Sequence, residues 1–237
     1  MKPLLPPVKF RSCGFTLPDL LVTLAVLTLL LTVILPVLAK SRAHSHEAQC
    51  LSNLKQVGRA VLLYAENNQG RLPQLQGNLN PGPPQVTWWF YKEKVKALAG
   101  LSGPSSSRDR VFACPDDRGY EDGRPFYASP KSDYNSYVFN GVSLPGVPNL
   151  PSLAGRSVAS IKDPARTLLV MEWTAHAPLS WHKSRTGSRN QPFYNDAESV
   201  VAFANGAVKS VRIYYDGFNP AYSRDPIAGY EYKYSGD

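Results

Sequence analysis

Apolar and polar positions divide the chain into three regimes. Residues 20–38 carry no charge, and their run of Leu, Val, Ile and Ala is broken only by Thr23, Thr28, Thr32 and Pro36. At a helical rise of about 1.5 Å per residue this stretch reaches across most of a ~30 Å hydrocarbon core. A second pattern follows. Ala48, Leu51, Leu54, Val57, Val61, Leu62 and Ala65 recur three and four residues apart, with Gln49, Asn53, Lys55, Gln56 and Arg59 between them. That spacing predicts one apolar stripe on an amphipathic helix. Asn67, Asn68, Gln69 and Gly70 end it, with Gly70 as the expected C-cap. The two patterns together predict one largely helical segment within 15–67, bent at Pro36 where a backbone hydrogen bond is lost.

The third regime, from residue 71 on, is short apolar runs between Pro- and Gly-rich turns. "ARTLLVMEW", residues 165–173, reads as a buried strand after an Asp163-Pro164 turn. "SVVAFANGAVKSVRI" reads as a hairpin around Asn205-Gly206, the favoured pair for a two-residue type I′ loop. Such a loop sets Ala204 opposite Ala207, Phe203 opposite Val208 and Val201 opposite Ser210, and turns Phe203 and Val208 toward the helix. "RVFAC" and "NSYVF" are shorter strand candidates. Residues 72–110 read as an irregular insertion around Trp88, Trp89, Phe90 and Tyr91, with a short helix over 92–99. The expected fold is α+β: a long N-terminal helix, half transmembrane and half amphipathic, packed on a small antiparallel sheet of roughly four strands with loop-rich insertions.

Composition agrees with a packed head, since 43% of residues are hydrophobic and 11% aromatic. The net charge of +8 becomes milder once Lys2, Lys9 and Arg11 are set aside. No basic stripe with interleaved aromatics occurs, so nucleic acid is not an expected partner. The apolar run exceeds the 7–15 residues of a secretory signal core and lacks a good cleavage site behind it. Basic residues in front of it place the N-terminus in the cytoplasm and the bulk of the chain outside, while Lys40 and Arg42 snorkel to the far interface.

Within this frame, the leader ending in Gly14, followed by Phe15, Thr16, Leu17 and the carboxylate of Asp19, resembles the processing signal of type IV prepilins and type II secretion pseudopilins. Asp19 is the fifth residue from Phe15 and Pro36 the twenty-second, positions at which that family carries an acid and often a proline. The acid here is Asp rather than Glu, and Pro18 stands where Ile or Val is usual; Pro18 is expected to start the helix and leave 15–17 extended. Further along, Cys50, Asn53, Leu54, Lys55 and Gln56, then Tyr64-Ala65, Cys114-Pro115 with Asp117, Ser136-Tyr137 with Asn140-Gly141, and Phe203 to Val208 resemble motifs of pseudopilin-like proteins related to the major pseudopilin. A His found near the last motif in relatives is absent.

The resemblance implies cleavage between Gly14 and Phe15 by a prepilin peptidase, methylation of the new N-terminus, and pairing of Asp19 with the amino terminus of a neighbouring subunit. It further implies residence in the inner membrane as a single-pass protein with a periplasmic head, and assembly with other pilin subunits on an inner-membrane platform. The parts are then a leader (1–14), a transmembrane and filament-core helix (15–39), an amphipathic helix (40–70) and an exported head (71–237). The alternative reading is a permanently anchored exported binding domain for a glycan or protein, using the aromatics at 88–91.

Candidate chemistry is sparse. No nucleophile elbow, phosphate loop or zinc spacing is present, and no enzymatic role is expected. Export would favour a disulfide between Cys50 and Cys114, the pair left once Cys13 goes with the leader; two unpaired buried thiols are the other reading. Asp116, Asp117, Glu121 and Asp122 form an acidic turn in which Asp116, Asp117 and Asp122 are weak calcium candidates, a solvated loop being the simpler reading. His44, His46, His176 and His182 read as solvated or hydrogen-bonding residues, a metal site among them being the other reading. Glu172, at the end of a buried strand, is expected to pair with an arginine.

Overall fold

In the computed structural model, residues 16–74, 88–119, 123–141, 151–176, 181–182, 197–214 and 225–237 are described. They divide into two compact units, Met1–Ala43 and His44–Asp237. The first helix, α1, spans Leu17–Asn67 and contains Pro36. It begins at Leu17, one residue before the expected start, with Pro18 in its first turn, where a missing N–H costs nothing.

Within the first unit, the large apolar side chains over 17–38 are all exposed, from 46% at Ile34 to 72% at Leu17. The three hydroxyls among them are satisfied by the helix itself. Thr23, Thr28 and Thr32 donate to the carbonyls of Leu20, Ala25 and Leu29, at 2.9, 2.9 and 2.7 Å. By length and composition this helix is long and apolar enough to cross a membrane, and the hydroxyls over 20–38 ask for no water.

In the second unit α1 turns amphipathic. Cys50, Asn53, Leu54, Val57, Gly58, Ala60, Val61 and Ala65 are buried, and Leu51 and Leu62 pack at the margin. The expected stripe is thus present, widened by Cys50, Asn53 and Gly58, while Ala48 stays exposed. Gln69 (φ 57°) is the first left-handed residue past the helix, and Gly70 (φ 75°) follows it. The Gly70 N–H donates back to the Ala65 carbonyl at 2.8 Å, which closes the C-terminus.

Four antiparallel strands pair in chain order: β1 (Tyr137–Phe139), β2 (Leu168–Glu172), β3 (Ala197–Phe203) and β4 (Val208–Ile213). Val200, Ala202, Ala204 and Phe139 share a cluster with α1. Gly58 permits the close approach: a Cβ there would lie 3.2 Å from the Ala202 Cβ. The opposite face is also buried. Val138, Leu168, Met171, Val201, Phe203, Val211 and Ile213 meet Trp89, Ile227, Tyr232 and Tyr234. A parallel bridge between Thr167 and Lys233 ties the segment 225–237 to the sheet.

Three expectations fail here. The β3–β4 register pairs Ala202 with Val208 and Val201 with Lys209, one residue off the two-residue loop. Phe203 N–H donates to the Ala207 carbonyl at 2.8 Å and Gly206 N–H to the Phe203 carbonyl at 2.9 Å, and within the turn only Gly206 has positive φ, 84°. This is a type I turn closed by a glycine bulge, which needs one left-handed residue where type I′ needs two. Asn205 instead accepts from the Ala207 N–H at 3.0 Å through its side chain. A one-residue slip reverses faces, so Phe203 points away from α1 while Val208 packs at the helix side. "RVFAC" forms a 3-10 turn, Arg110–Phe112, not a strand. The short helix, α2, covers Tyr91–Val95 and unwinds through turns to residue 100.

Candidate functional site

Two places in the described chain carry the residues singled out from the sequence. At the start of α1, the Thr16 N–H and hydroxyl both donate to Asp19 Oδ2, at 3.0 and 2.6 Å, and Leu20 N–H donates to the Thr16 carbonyl at 3.2 Å. Thr16 therefore stands as N-cap, with Asp19 as the acid three residues on that takes up its N–H. The carboxylate also faces the positive end of the helix dipole. Asp19 thus caps its own helix. The cleavage pair Gly14 and Phe15 lies outside the described residues.

The second place is built around the disulfide. Cys50 on α1 bonds to Cys114, 64 residues away, with a Cα–Cα distance of 4.9 Å. The same two segments are joined by Asn53, whose Nδ2 donates to the carbonyls of Arg110 and Ala113 at 3.0 and 2.8 Å. Cys114 N–H donates to Ser136 Oγ at 3.0 Å, and that hydroxyl donates to Asp117 Oδ2 at 2.7 Å. Asn140 Nδ2 donates to the carbonyls of Leu168 and Tyr234 at 2.7 and 2.8 Å. The polar motif residues scattered over the sequence thus act as fasteners between α1, the 110–119 segment, β1 and the C-terminal segment.

Beside the disulfide lies a buried ionic cluster. Glu172 ends β2, just before the one-turn helix α3 (Trp173–His176), and is fully buried. Its Oε2 accepts from Val200 N–H at 2.8 Å and Ser199 Oγ at 3.3 Å, and its Oε1 lies 2.9 Å from His182 Nε2. The expected arginine partner is replaced by this histidine. Across the ring, His182 Nδ1 is 3.1 Å from Asp116 Oδ2, and Asp116 Oδ1 is 2.9 Å from His46 Nδ1 on α1.

Burial opposes a charge on His182, but the Glu172 carboxylate and the hydrogen bonds to Asp116 and Glu172 raise its pKa to about 10. Burial also opposes ionisation of Asp116, which its contacts with His182 and His46 overcome, lowering its pKa. The ring is accordingly an imidazolium between two carboxylates, with neither nitrogen free to take a proton from a substrate. The sulfurs of Cys50 and Cys114, a nitrogen of His182 and an oxygen of Glu172 lie within 4.8 Å of one another. As long as the sulfurs are bonded to each other, that donor set is closed to a metal.

Asp116 and Asp117, the calcium candidates, turn to separate protein partners. Asp117 is buried and accepts from Ser136 Oγ, from Gly119 N–H at 2.8 Å and from Tyr127 N–H at 3.3 Å; burial pushes its pKa up to about 6 against these hydrogen bonds. Asp122 and Glu121 lie outside the described residues. Of the aromatics at 88–91, Trp89 and Tyr91 are 3% and 0% exposed, so they belong to the core.

Sequence reasoning also passed over a buried lysine of the head. Lys92, 0% exposed, reaches Asp109 Oδ2 at 2.9 Å and donates to the carbonyls of Asp133 and Tyr134 at 2.6 and 3.2 Å. Burial lowers its pKa in spite of the Asp109 partner. Asp133 and Tyr134 both have positive φ, 50° and 51°, so this ammonium holds a strained turn in place.

Set against known protein families, curated proteins and solved structures, the chain finds no match.

Proposed function

We propose that this protein is a structural pilin-like subunit. A prepilin peptidase cuts it after Gly14, and it assembles into a type II secretion pseudopilus or a type IV pilus-like filament. Before cleavage it sits in the inner membrane with its head in the periplasm; afterwards the apolar half of α1 packs against the same half of sister subunits. The observation that carries this reading is the uncharged, wholly exposed apolar stretch of α1 directly behind the Gly14-Phe15 and Asp19 pattern. Half-exposed Leu, Val and Ile side chains lose about 1 kcal/mol each when left in water. Over 17–38 that sum requires a cover, which lipid supplies first and neighbouring helices later. The disulfide supports export to an oxidising compartment.

The capped state of Asp19 adds detail. Its carboxylate is held at the helix start by Thr16, so pairing with a neighbour's terminal amine would add to that arrangement or replace it. Intact mass and N-terminal sequencing of protein extracted from native membranes test the proposal. The expected result is a chain beginning at N-methylated Phe15, and a Gly14→Ala variant that keeps Met1. A wild-type chain that retains its leader in cells with an active prepilin peptidase would overturn the proposal in favour of a permanent anchor.

A further inference from the structure

The pocket that holds the disulfide has the donors of a second occupant. Cys50, Cys114 and Glu172 are fully buried, and the His182 side chain is 3% exposed. Two sulfurs, one imidazole nitrogen and one carboxylate oxygen converge within 4.8 Å. A tetrahedral zinc centre with Zn–S near 2.3 Å and Zn–N near 2.0–2.1 Å has ligand–ligand edges of roughly 3.3–3.8 Å, so this group needs only a small contraction and rotation of the sulfurs away from each other.

The surroundings also suit a metal. Asp116 accepts at His182 Nδ1, which orients Nε2 toward Glu172 in the carboxylate–histidine arrangement that supports metal-bound imidazoles. Glu172 Oε2 is held by Val200 and Ser199, which leaves Oε1, now facing His182 Nε2, as the oxygen for a metal. In the disulfide form, the proton between Nε2 and Oε1 takes the place a cation would fill.

We propose that reduction converts this pocket into a closed zinc site, with Cys50 Sγ, Cys114 Sγ, His182 Nε2 and Glu172 Oε1 as ligands and Asp116 as the residue that positions the imidazole. A thiol or phosphine reductant delivers two electrons, and two protons complete the thiols. Binding of Zn²⁺ then releases those two protons and the Nε2 proton to solvent. Disulfide and metal exclude each other because both need the same two sulfurs. Thiolate and imidazole donors select a borderline-soft divalent ion over calcium or magnesium.

The test uses the full chain in mild detergent, reduced with a phosphine that is then removed anaerobically, and titrated with Co²⁺ and then Zn²⁺. The expected result is one Co²⁺ per chain with a thiolate charge-transfer band and tetrahedral d–d bands, displaced by Zn²⁺, and no such bands in the oxidised chain. X-ray absorption of the zinc form should count two sulfur and two nitrogen or oxygen ligands. Asp116→Asn should weaken zinc 10- to 100-fold, and His182→Gln or Glu172→Gln by at least as much. The proposal fails if the reduced chain takes up no metal, if the oxidised chain binds equally, or if both ligand variants keep wild-type affinity. Circular dichroism of each reduced variant separates loss of a ligand from loss of fold. Should the variants unfold, the ligand count on wild type decides: a sulfur-only shell, or two sulfurs without imidazole scattering, overturns the assignment.

Discussion

Replacing His182 with Gln should make the stability of the disulfide-closed, metal-free protein less sensitive to alkali. In the folded chain the imidazolium lies between Glu172 and Asp116, at 2.9 and 3.1 Å, and its pKa is raised to about 10 from an unfolded value near 6.5. A group whose folded pKa is raised stabilises fully below its unfolded pKa and stops doing so as pH climbs through the folded one. The window is therefore pH 6.5 to 10. Linkage over that interval gives about 4 kcal/mol at pH 7 and less than about 1 kcal/mol at pH 10. For a unit the size of His44–Asp237, each kcal/mol moves Tm by about 2–4 °C, so the wild-type advantage should shrink by roughly 10 °C. The assay is thermal and urea unfolding followed by circular dichroism at pH 7, 8, 9 and 10, with detergent and EDTA and without reductant. Tyrosines and lysines that titrate in the same range are common to both proteins and cancel in the difference. A gap between wild type and His182→Gln that stays constant from pH 7 to 10 would refute the charged sandwich.

Other perturbations probe the remaining fasteners. Lys92→Met strands the Asp109 carboxylate and two carbonyls and should cost about 3–5 kcal/mol in urea unfolding; Asp109→Asn combined with it should add much less than its own single effect. Removing the disulfide with Cys50→Ala and Cys114→Ala opens a 64-residue loop and should cost about 4 kcal/mol by loop-closure entropy, read as a lower denaturant midpoint. Gly58→Leu pushes against Ala202, whose Cβ stands 3.2 Å from a Cβ at that position, and should destabilise by about 1–3 kcal/mol through overpacking.

The extent to which these features are legible in sequence depends on how local their causes are. α1 follows from an unbroken apolar run and then a three- and four-residue periodicity, and the four short strands from apolar runs bounded by turn residues. The β3–β4 register does not, because Asn205-Gly206 satisfies two turn types, and hydrogen bonds from Ala204 and Asn205 to Thr167 and Pro164 are tertiary contacts that no local pattern contains. "RVFAC" has strand-like composition, yet Asn53 and Cys50 on α1 bind its carbonyls and its cysteine and hold it as a turn. The ionic cluster draws on residues 46, 116, 172 and 182, none at a recognisable spacing from another. Only the unusual cost of a glutamate at the end of a buried strand signalled that a cation had to be close.

The disulfide sets a route for mechanical load. Tension applied at the N-terminal end of α1 and taken up beyond residue 114 crosses from Cys50 to Cys114 through the sulfurs. The chain between them, including Lys92, carries little of that pull. Extension of a loaded subunit is shortened by the contour of the bypassed loop, and a reducing agent would lengthen it by that amount in a single-molecule trace.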